Sequence, residues 1–283
     1  LGSRGLGDVY KRQYLYQMAI YYNKDLVKKY NLQYILDDGF VTIDEIKDLK
    51  GKLPKGTYAL TYGNLPWAFM SLLYGAGGTL ENDMDDLTKD VWRKPMEKLK
   101  EAYDVGVVAP MDVDGEQAFG SGKAVFAQLG TWAQGNMSNT LGADKIAEAN
   151  TLQYSADNPV NFFYQCNWMQ LKDPHRSAAK SAAAADFVKY VYEHWMDWSE
   201  VGSISPAYRD LNNPEYQKLI QASFTNSKKE RDYIKTSNYL YGGYATAGWG
   251  TYNDIVYGNV GLEEGLKTLD LMAQGQIEIQ EES

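Results

Sequence analysis

Gly122-Lys123, inside "GEQAFGSGKAVFAQLGTW" (residues 115–132), is the dipeptide on which a phosphate-cradling loop would end. That loop also needs a glycine five residues earlier, a Ser or Thr after the lysine, a strand before it and a helix behind it. Here Gln117 stands in the early position and Ala124 follows the lysine, so the magnesium-binding hydroxyl is missing. Ala124–Leu129 reads as a short buried strand rather than a helix opening. Phosphate chemistry is therefore rejected at this segment. The carboxylates of "ENDMDD" (81–86) fail as a calcium loop starting at Asp83, because Leu87 stands where a ligand belongs and Thr88 where glycine is required. They read as a solvated turn. His175 and His194 lie in or beside a helix with no serine or cysteine nucleophile in an obvious elbow. A pair of acids for glycoside hydrolysis stays open, since their separation is a spatial fact.

Seven tryptophans offer a different chemistry. Trp67, Trp132, Trp168 and Trp249 sit at strand ends or in loops, where a flat ring can meet a ligand or serve as a partly buried core ring. Trp92, Trp195 and Trp198 read as packing residues. Asn64 and Asn167 can bind hydroxyls or satisfy the backbone groups of their own turns.

The elements that must position these residues alternate between strand and helix. "YLYQMAIYYN" (14–23) is strand-like; "KDLVKKYNL" opens a short helix, and "TIDEIKDLKGKLPKG" carries another with Thr42 and Asp44 as capping candidates. "TYALTYGN" is a strand broken at Gly63-Asn64, and Leu65–Tyr74 a buried helix stopped by glycines. Trp92, Met96, Leu99 and Tyr103 recur at helical spacing. "NFFYQCNWMQL" (161–171) is a strand leading into a helix over Ser177–Trp198, with Ala184, Phe187, Val188, Val191 and Trp195 on one face. Leu262, Leu266, Leu269 and Met272 or Ala273 stripe the last helix. Strands of five to eight residues between helices give α/β class.

Composition fits and excludes. The chain has 283 residues, 44% hydrophobic and 23% charged, enough for one large domain or two lobes. Net charge is −9, which argues against a nucleic-acid partner; the dense basic run Lys228-Lys229-Glu230-Arg231 reads as a solvated helix face. No apolar run approaches the roughly 20 residues that span a bilayer. The single cysteine, Cys166, cannot form an internal disulfide or a cysteine zinc site, and reads as a small buried residue. The first thirteen residues, "LGSRGLGDVYKRQ", are basic in an acidic chain and without periodicity. They resemble the translation of sequencing-adapter sequence and are set aside as a non-native leader.

In order along the chain, "YYNKDLVKKYNL", "TIDEIKDLK", the Gly77-Gly78 pair, "AFGSGKAVFAQLGTW", "AAADFVKYVYEHWMDWSEVGSISPAYRD" and "WGTYNDIVYGNVGLEEGLK" resemble landmarks of the family 1 extracellular solute-binding proteins. This is the maltose-binding-protein-like group serving sugar ABC importers. The likeness runs over about residues 14–275, with Ile43 where the family usually has tryptophan. It implies a two-lobed α/β fold of the periplasmic-binding-protein type (type II), with most of the amino-terminal lobe missing. The implied divisions are a crossover strand at 14–22, a carboxy-terminal lobe at 23–163 and 232–283, and a remnant of the amino-terminal lobe at 164–231. A fragment of that kind is expected to bind weakly and to associate, whereas the full-length protein would be monomeric.

The resemblance also implies capture of a carbohydrate, an oligosaccharide above all, between the lobes. Trp67, Trp132, Trp249 and Trp168 would stack on sugar faces, and Asn64 and Asn167 would take hydroxyls at the rim. It implies no enzyme activity, no cofactor and no metal. The partners would be a carbohydrate and membrane permease subunits, with the protein outside the cytoplasmic membrane, in the periplasm or as a lipoprotein. A glycoside hydrolase or a lectin-like carbohydrate-binding module is the alternative.

Overall fold

The structure is a computed structural model and describes residues 12–63, 65–167, 173, 175–202, 205–206, 212–222, 231–233 and 248–282. Its organising element is a long strand, β1 (Arg12–Asn23), which takes part in two groups of strands. After it come helices α1 (Lys24–Lys29) and α2 (Ile43–Lys47), strand β2 (Tyr58–Tyr62), and helices α3 (Leu65–Gly75), α4 (Leu80–Asp83), α5 (Asp90–Asp104) and α6 (Gly115–Gly120). Strand β3 (Ala124–Gly130), helix α7 (Gln134–Leu141) and strands β4 (Ile146–Asn150) and β5 (Val160–Asn167) follow. The rest comprises α8 (Ala178–Glu193), α9 (Trp195–Gly202), β6 (Ser205–Pro206), β7 (Arg231–Tyr233), a helix over 248–256 that we label α10, and α11 (Leu262–Glu281).

The carboxy-terminal half of β1 runs antiparallel between β3 and β4, in register Met18↔Gly130 and Ala19↔Asn150, while β2 lies parallel to β3. The amino-terminal half of β1 instead pairs with β5 and β6, and β5 is parallel to β7. At the changeover Gln17 is buried, and its Nε2 donates to Asn150 Oδ1 (3.0 Å) and Asn161 Oδ1 (2.9 Å). Asn161 Nδ2 also donates to Asn150 Oδ1. The three side-chain amides thus bond one another at the strand junction, as buried polar groups require, although Gln17 Oε1 has no partner among the described residues.

Side chains alternate across β1, as a strand with both faces covered requires. Met18 and Ile20 enter a large core with α3, α5, α10 and α11, whereas Ala19 and Tyr21 enter a smaller one with Phe119 of α6 and Met137 of α7. In the large core Phe69 stacks on Trp92 at 5.7 Å and tilts against Tyr252 at 5.1 Å. Trp92 is fully buried, with its Nε1 donating to the Asp83 carbonyl at 2.7 Å.

Several sequence expectations meet the structure directly. Thr42 caps α2 in a reciprocal pair with Glu45, while Asp44 bonds Lys98 and Lys47 instead of capping. On α11 the buried stripe is Leu266, Leu269 and Ala273, and Met272 faces solvent. The long helix expected over Ser177–Trp198 is broken at His194, and of its apolar face only Val191 is buried. Trp195 is half-buried against Tyr216, but Trp198, expected to pack, is 45% exposed. Residues 228–230 of the basic run lie outside the described set, and Arg231 begins a strand. The Cys166 side chain also lies outside what is described.

Candidate functional site

A cavity of about 510 Å³ opens beyond the carboxyl end of β2, within the size range of small-ligand pockets. In open α/β sheets, ligands settle outside the carboxyl ends of parallel strands, and β2 and β3 form such a pair. Tyr62 and Gly63 end the strand, Leu65 and Pro66 open α3, and Met111 and Val113 come from the loop before α6. Asp114 caps α6, Gly115 and Glu116 start it, and Trp249, Asn253 and Tyr257 come from α10 and the turn after it. The last three are spaced by four residues along and just past α10, which puts them on one helical face.

Local sequence explains how the wall is built. Asp114 caps α6 by accepting from Gln117 N–H at 2.8 Å. Gly115 lies so near the strand that a Cβ on it would stand 2.8 Å from the Tyr62 carbonyl oxygen, and Thr61 Oγ1 donates to the Gly115 carbonyl. A glycine is therefore what lets the two carboxylates of Asp114 and Glu116 reach the end of β2. Glu116 is held in turn by Asn136 Nδ2, which donates to its Oε2 at 2.7 Å.

The polar groups of the cavity include both donors and acceptors. The Tyr62 hydroxyl is buried and has no hydrogen-bond partner among the described residues. Burial, with the neighbouring Tyr257 adding to it, raises the Tyr62 phenol well above its usual range. Burial and the nearby Tyr103 push Tyr257 up to about 12. Both hydroxyls therefore keep their protons at neutral pH. Among the described lining residues there is no Lys, Arg, His, Ser or Cys; the ionisable groups are the carboxylates of Asp114 and Glu116 and the two phenols. Among the described residues no group of three or more His, Cys, Asp or Glu could hold a metal ion.

Of the residues singled out in the sequence, Trp249 lines the cavity and is 42% exposed. Trp132 is equally exposed and follows the carboxyl end of β3, on the same edge of the parallel pair, but it is not a lining residue. Its indole lies across Gly130, where any Cβ would overlap the ring. Trp67 is half-buried and packs on the large core beside Pro66, which does line the cavity. Asn64 and Trp168 lie outside the described residues, and Asn167 is described only through its backbone, which pairs with Arg12. The structure thus joins Trp249 to residues that sequence reading passed over: Tyr62, Asp114, Glu116, Asn253 and Tyr257. The four-residue spacing in "WGTYNDIVY" and the capping aspartate of "DGEQAF" were the available signals.

Behind the Gly130–Trp132 turn lies a buried acid. Glu148 faces Tyr21 across the β1–β4 ladder, and both are buried. The Tyr21 hydroxyl donates to the Gly130 carbonyl at 3.3 Å, leaving the Glu148 oxygens without a hydrogen bond of good geometry among the described residues. Burial pushes the Glu148 carboxyl up to about 8, with the nearby Tyr21 hydroxyl opposing the rise.

Comparison with solved structures finds the same fold in proteins of low sequence identity. The chain superposes on the GacH receptor of Streptomyces glaucescens, described unliganded and with acarbose, with a TM-score of 0.73 at 18% identity, covering 95% of this chain and 71% of that one. The cyclic α-maltosyl-1,6-maltose binding protein of Arthrobacter globiformis gives 0.71 at 17% identity, covering 95% and 72%. An ABC transporter solute-binding protein of Agrobacterium vitis, solved with bound D-mannitol, gives 0.68 at 18%, covering 96% and 73%. No curated protein matches the sequence. The profile of a family described as bacterial extracellular solute-binding protein matches residues 6–223. With most of its length matched by that profile, the chain belongs to the bacterial extracellular solute-binding proteins.

Proposed function

We propose that the protein captures a carbohydrate, an oligosaccharide above all, for an ABC importer, and that the cavity beyond β2 forms part of its binding cleft. The observation that carries this reading is one exposed indole, Trp249, in a concavity that combines apolar Leu65, Pro66, Met111 and Val113 with two tyrosines, an amide and two carboxylates. A pyranose has an apolar C–H face and a polar edge, and that lining matches both. Trp249 covers the face. Tyr257 donates to sugar oxygens, Asn253 both donates and accepts, and Asp114 and Glu116 accept from hydroxyls. Trp132, on the same sheet edge, extends the aromatic surface for a longer chain, and Asn64, Asn167, Trp67 and Trp168 serve the remaining subsites.

The family and the sugar-bound or polyol-bound neighbours support a transport role. The protein works outside the cytoplasmic membrane, as an anchored lipoprotein or free in the periplasm, and hands its ligand to permease subunits. Closure occurs about β1, the strand that leaves one group of strands for the other. It turns over no substrate.

The test is a tryptophan-fluorescence titration of the full chain with maltose, maltotriose and D-mannitol, followed by assay for released sugar. Weak but saturable quenching without hydrolysis is expected. Hydrolysis would instead assign Asp114 and Glu116 to the glycosidase alternative, and no response to any of the three would overturn the carbohydrate reading.

A further inference from the structure

The turn that carries Trp132 is tied to β1 at two points. Gln17 N–H donates to Thr131 Oγ1 at 3.4 Å, and the Tyr21 hydroxyl donates to the Gly130 carbonyl at 3.3 Å. The second bond is long for a hydroxyl donor, which usually stands about 2.5–3.0 Å from its acceptor. Its donor also has a second claimant. Tyr21 and Glu148 stand directly opposite each other in the β1–β4 ladder, which puts both side chains on one face. Glu148 is 6% exposed, and neither of its carboxyl oxygens has a hydrogen bond of good geometry among the described residues. The phenol and the carboxyl are near enough to act on one another's titration. A phenol carries one proton, so it serves one strong acceptor at a time. The Trp132 indole lies directly on Gly130 and leaves no room for a Cβ there, so whatever holds the Gly130 peptide also seats the ring.

We infer that Glu148 is a positioning residue for the Trp132 ring, competing with the Gly130 carbonyl for the single proton of the Tyr21 hydroxyl. The consequence for sugar binding rests on the carbohydrate reading; the positioning itself does not. Protonated, the carboxyl brings its own hydrogen and donates to the phenol oxygen, and Tyr21 keeps its bond to Gly130. Ionised, it draws the phenol proton, since a hydrogen bond to a charged acceptor is markedly stronger than one to a neutral carbonyl. The Gly130 peptide then loses a tie, and the ring its fixed seat. Burial pushes the carboxyl up to about 8, with the Tyr21 hydroxyl opposing the rise, so the protonated form prevails at neutral pH and release falls in mildly alkaline solution. Burial, then Glu148, then Glu116 of α6 raise the Tyr21 phenol, which therefore stays a donor across this range. The Glu116 carboxylate is bonded to Asn136 of α7. Around Tyr21 the other neighbours from β3, α6 and α7 are apolar: Ala127, Leu129, Phe119 and Met137.

The experiment follows the Trp132 ring by fluorine NMR of the full chain labelled with fluorotryptophan, its signal assigned by loss in Trp132→Phe, between pH 6.5 and pH 9. Without ligand, the signal is expected to move with a midpoint near 8 in the unaltered chain. It is expected to stay at its acid position in Glu148→Gln, whose carboxamide donates but never ionises. Tyr21→Phe removes the contested proton and is expected to displace the signal already at pH 6.5; that arm needs no alkaline sample, so it decides the matter whatever the stability of the chain at pH 9. Maltotriose binding, by calorimetry on the same samples, is expected to weaken severalfold from pH 6.5 to pH 9 in the unaltered chain and to stay constant in Glu148→Gln. A Trp132 signal unmoved by both pH and Tyr21→Phe overturns the inference, as does one that still titrates in Glu148→Gln. A signal that titrates as expected, in a chain that binds none of maltose, maltotriose and D-mannitol, supports the positioning role and overturns the carbohydrate reading.

Discussion

Trp249 and Trp132 are equally exposed, but of the two only Trp249 lines the cavity. Trp249→Ala is expected to weaken sugar binding tenfold or more, as it removes stacking of about 0.5–1.5 kcal/mol plus the apolar area beneath it. Trp132→Ala is expected to weaken a trisaccharide more than a monosaccharide, since its ring stands further along the sheet edge. Calorimetry with ligands of increasing length checks both. Glu148 carries a separate prediction. An unfolded glutamate titrates near 4.5 and the buried one near 8, so the folded protein holds a proton that the unfolded chain releases. Its contribution is complete below the lower value and is lost as pH rises through the higher one, at about 1.4 kcal/mol per unit between them. Glu148→Gln is expected to flatten that decline, measured as urea midpoints at pH 5 and pH 8.

At the scale of elements, α5 was legible because its stripe is local. Trp92, Met96 and Leu99 repeat at helical spacing, and all three are buried. Trp92→Ala is expected to cost about 3–5 kcal/mol by leaving a cavity under Phe69 and an unpaired Asp83 carbonyl, with sugar affinity retained in the folded fraction. A thermal melt beside a titration separates the two effects. The same periodicity on α8 announced an apolar face, but spacing does not say what covers a face, and Phe187 is 55% exposed. Glu148 in "IAEAN" gave no signal at all. Its burial comes from pairing opposite Tyr21, a contact between segments far apart in sequence. The cavity was half legible: Trp249 stood out as a loop tryptophan, whereas Asp114 and Glu116 reach the site through the close approach of Gly115 to β2, which only the folded backbone reveals.

For the whole molecule, the path of β1 matters most. One strand belongs to both groups of strands, and the amides of Gln17, Asn150 and Asn161 bind one another where it passes between them. Gln17→Ala leaves the two asparagines under-satisfied in a buried place and is expected to destabilise the chain by about 1–3 kcal/mol. If closure turns about this point, the variant also changes the sugar-dependent rate of fluorescence change, which stopped-flow mixing reads. The proposed function turns on whether a sugar rests on the Trp249 ring in the cavity beyond β2. Its most direct test is an NMR titration of the indole N–H signals with maltotriose, assigning Trp249 by the signal lost in Trp249→Phe. The Trp249 signal is expected to shift in proportion to occupancy while that of buried Trp92 stays in place. Sugar binding that leaves the Trp249 signal unmoved would contradict it.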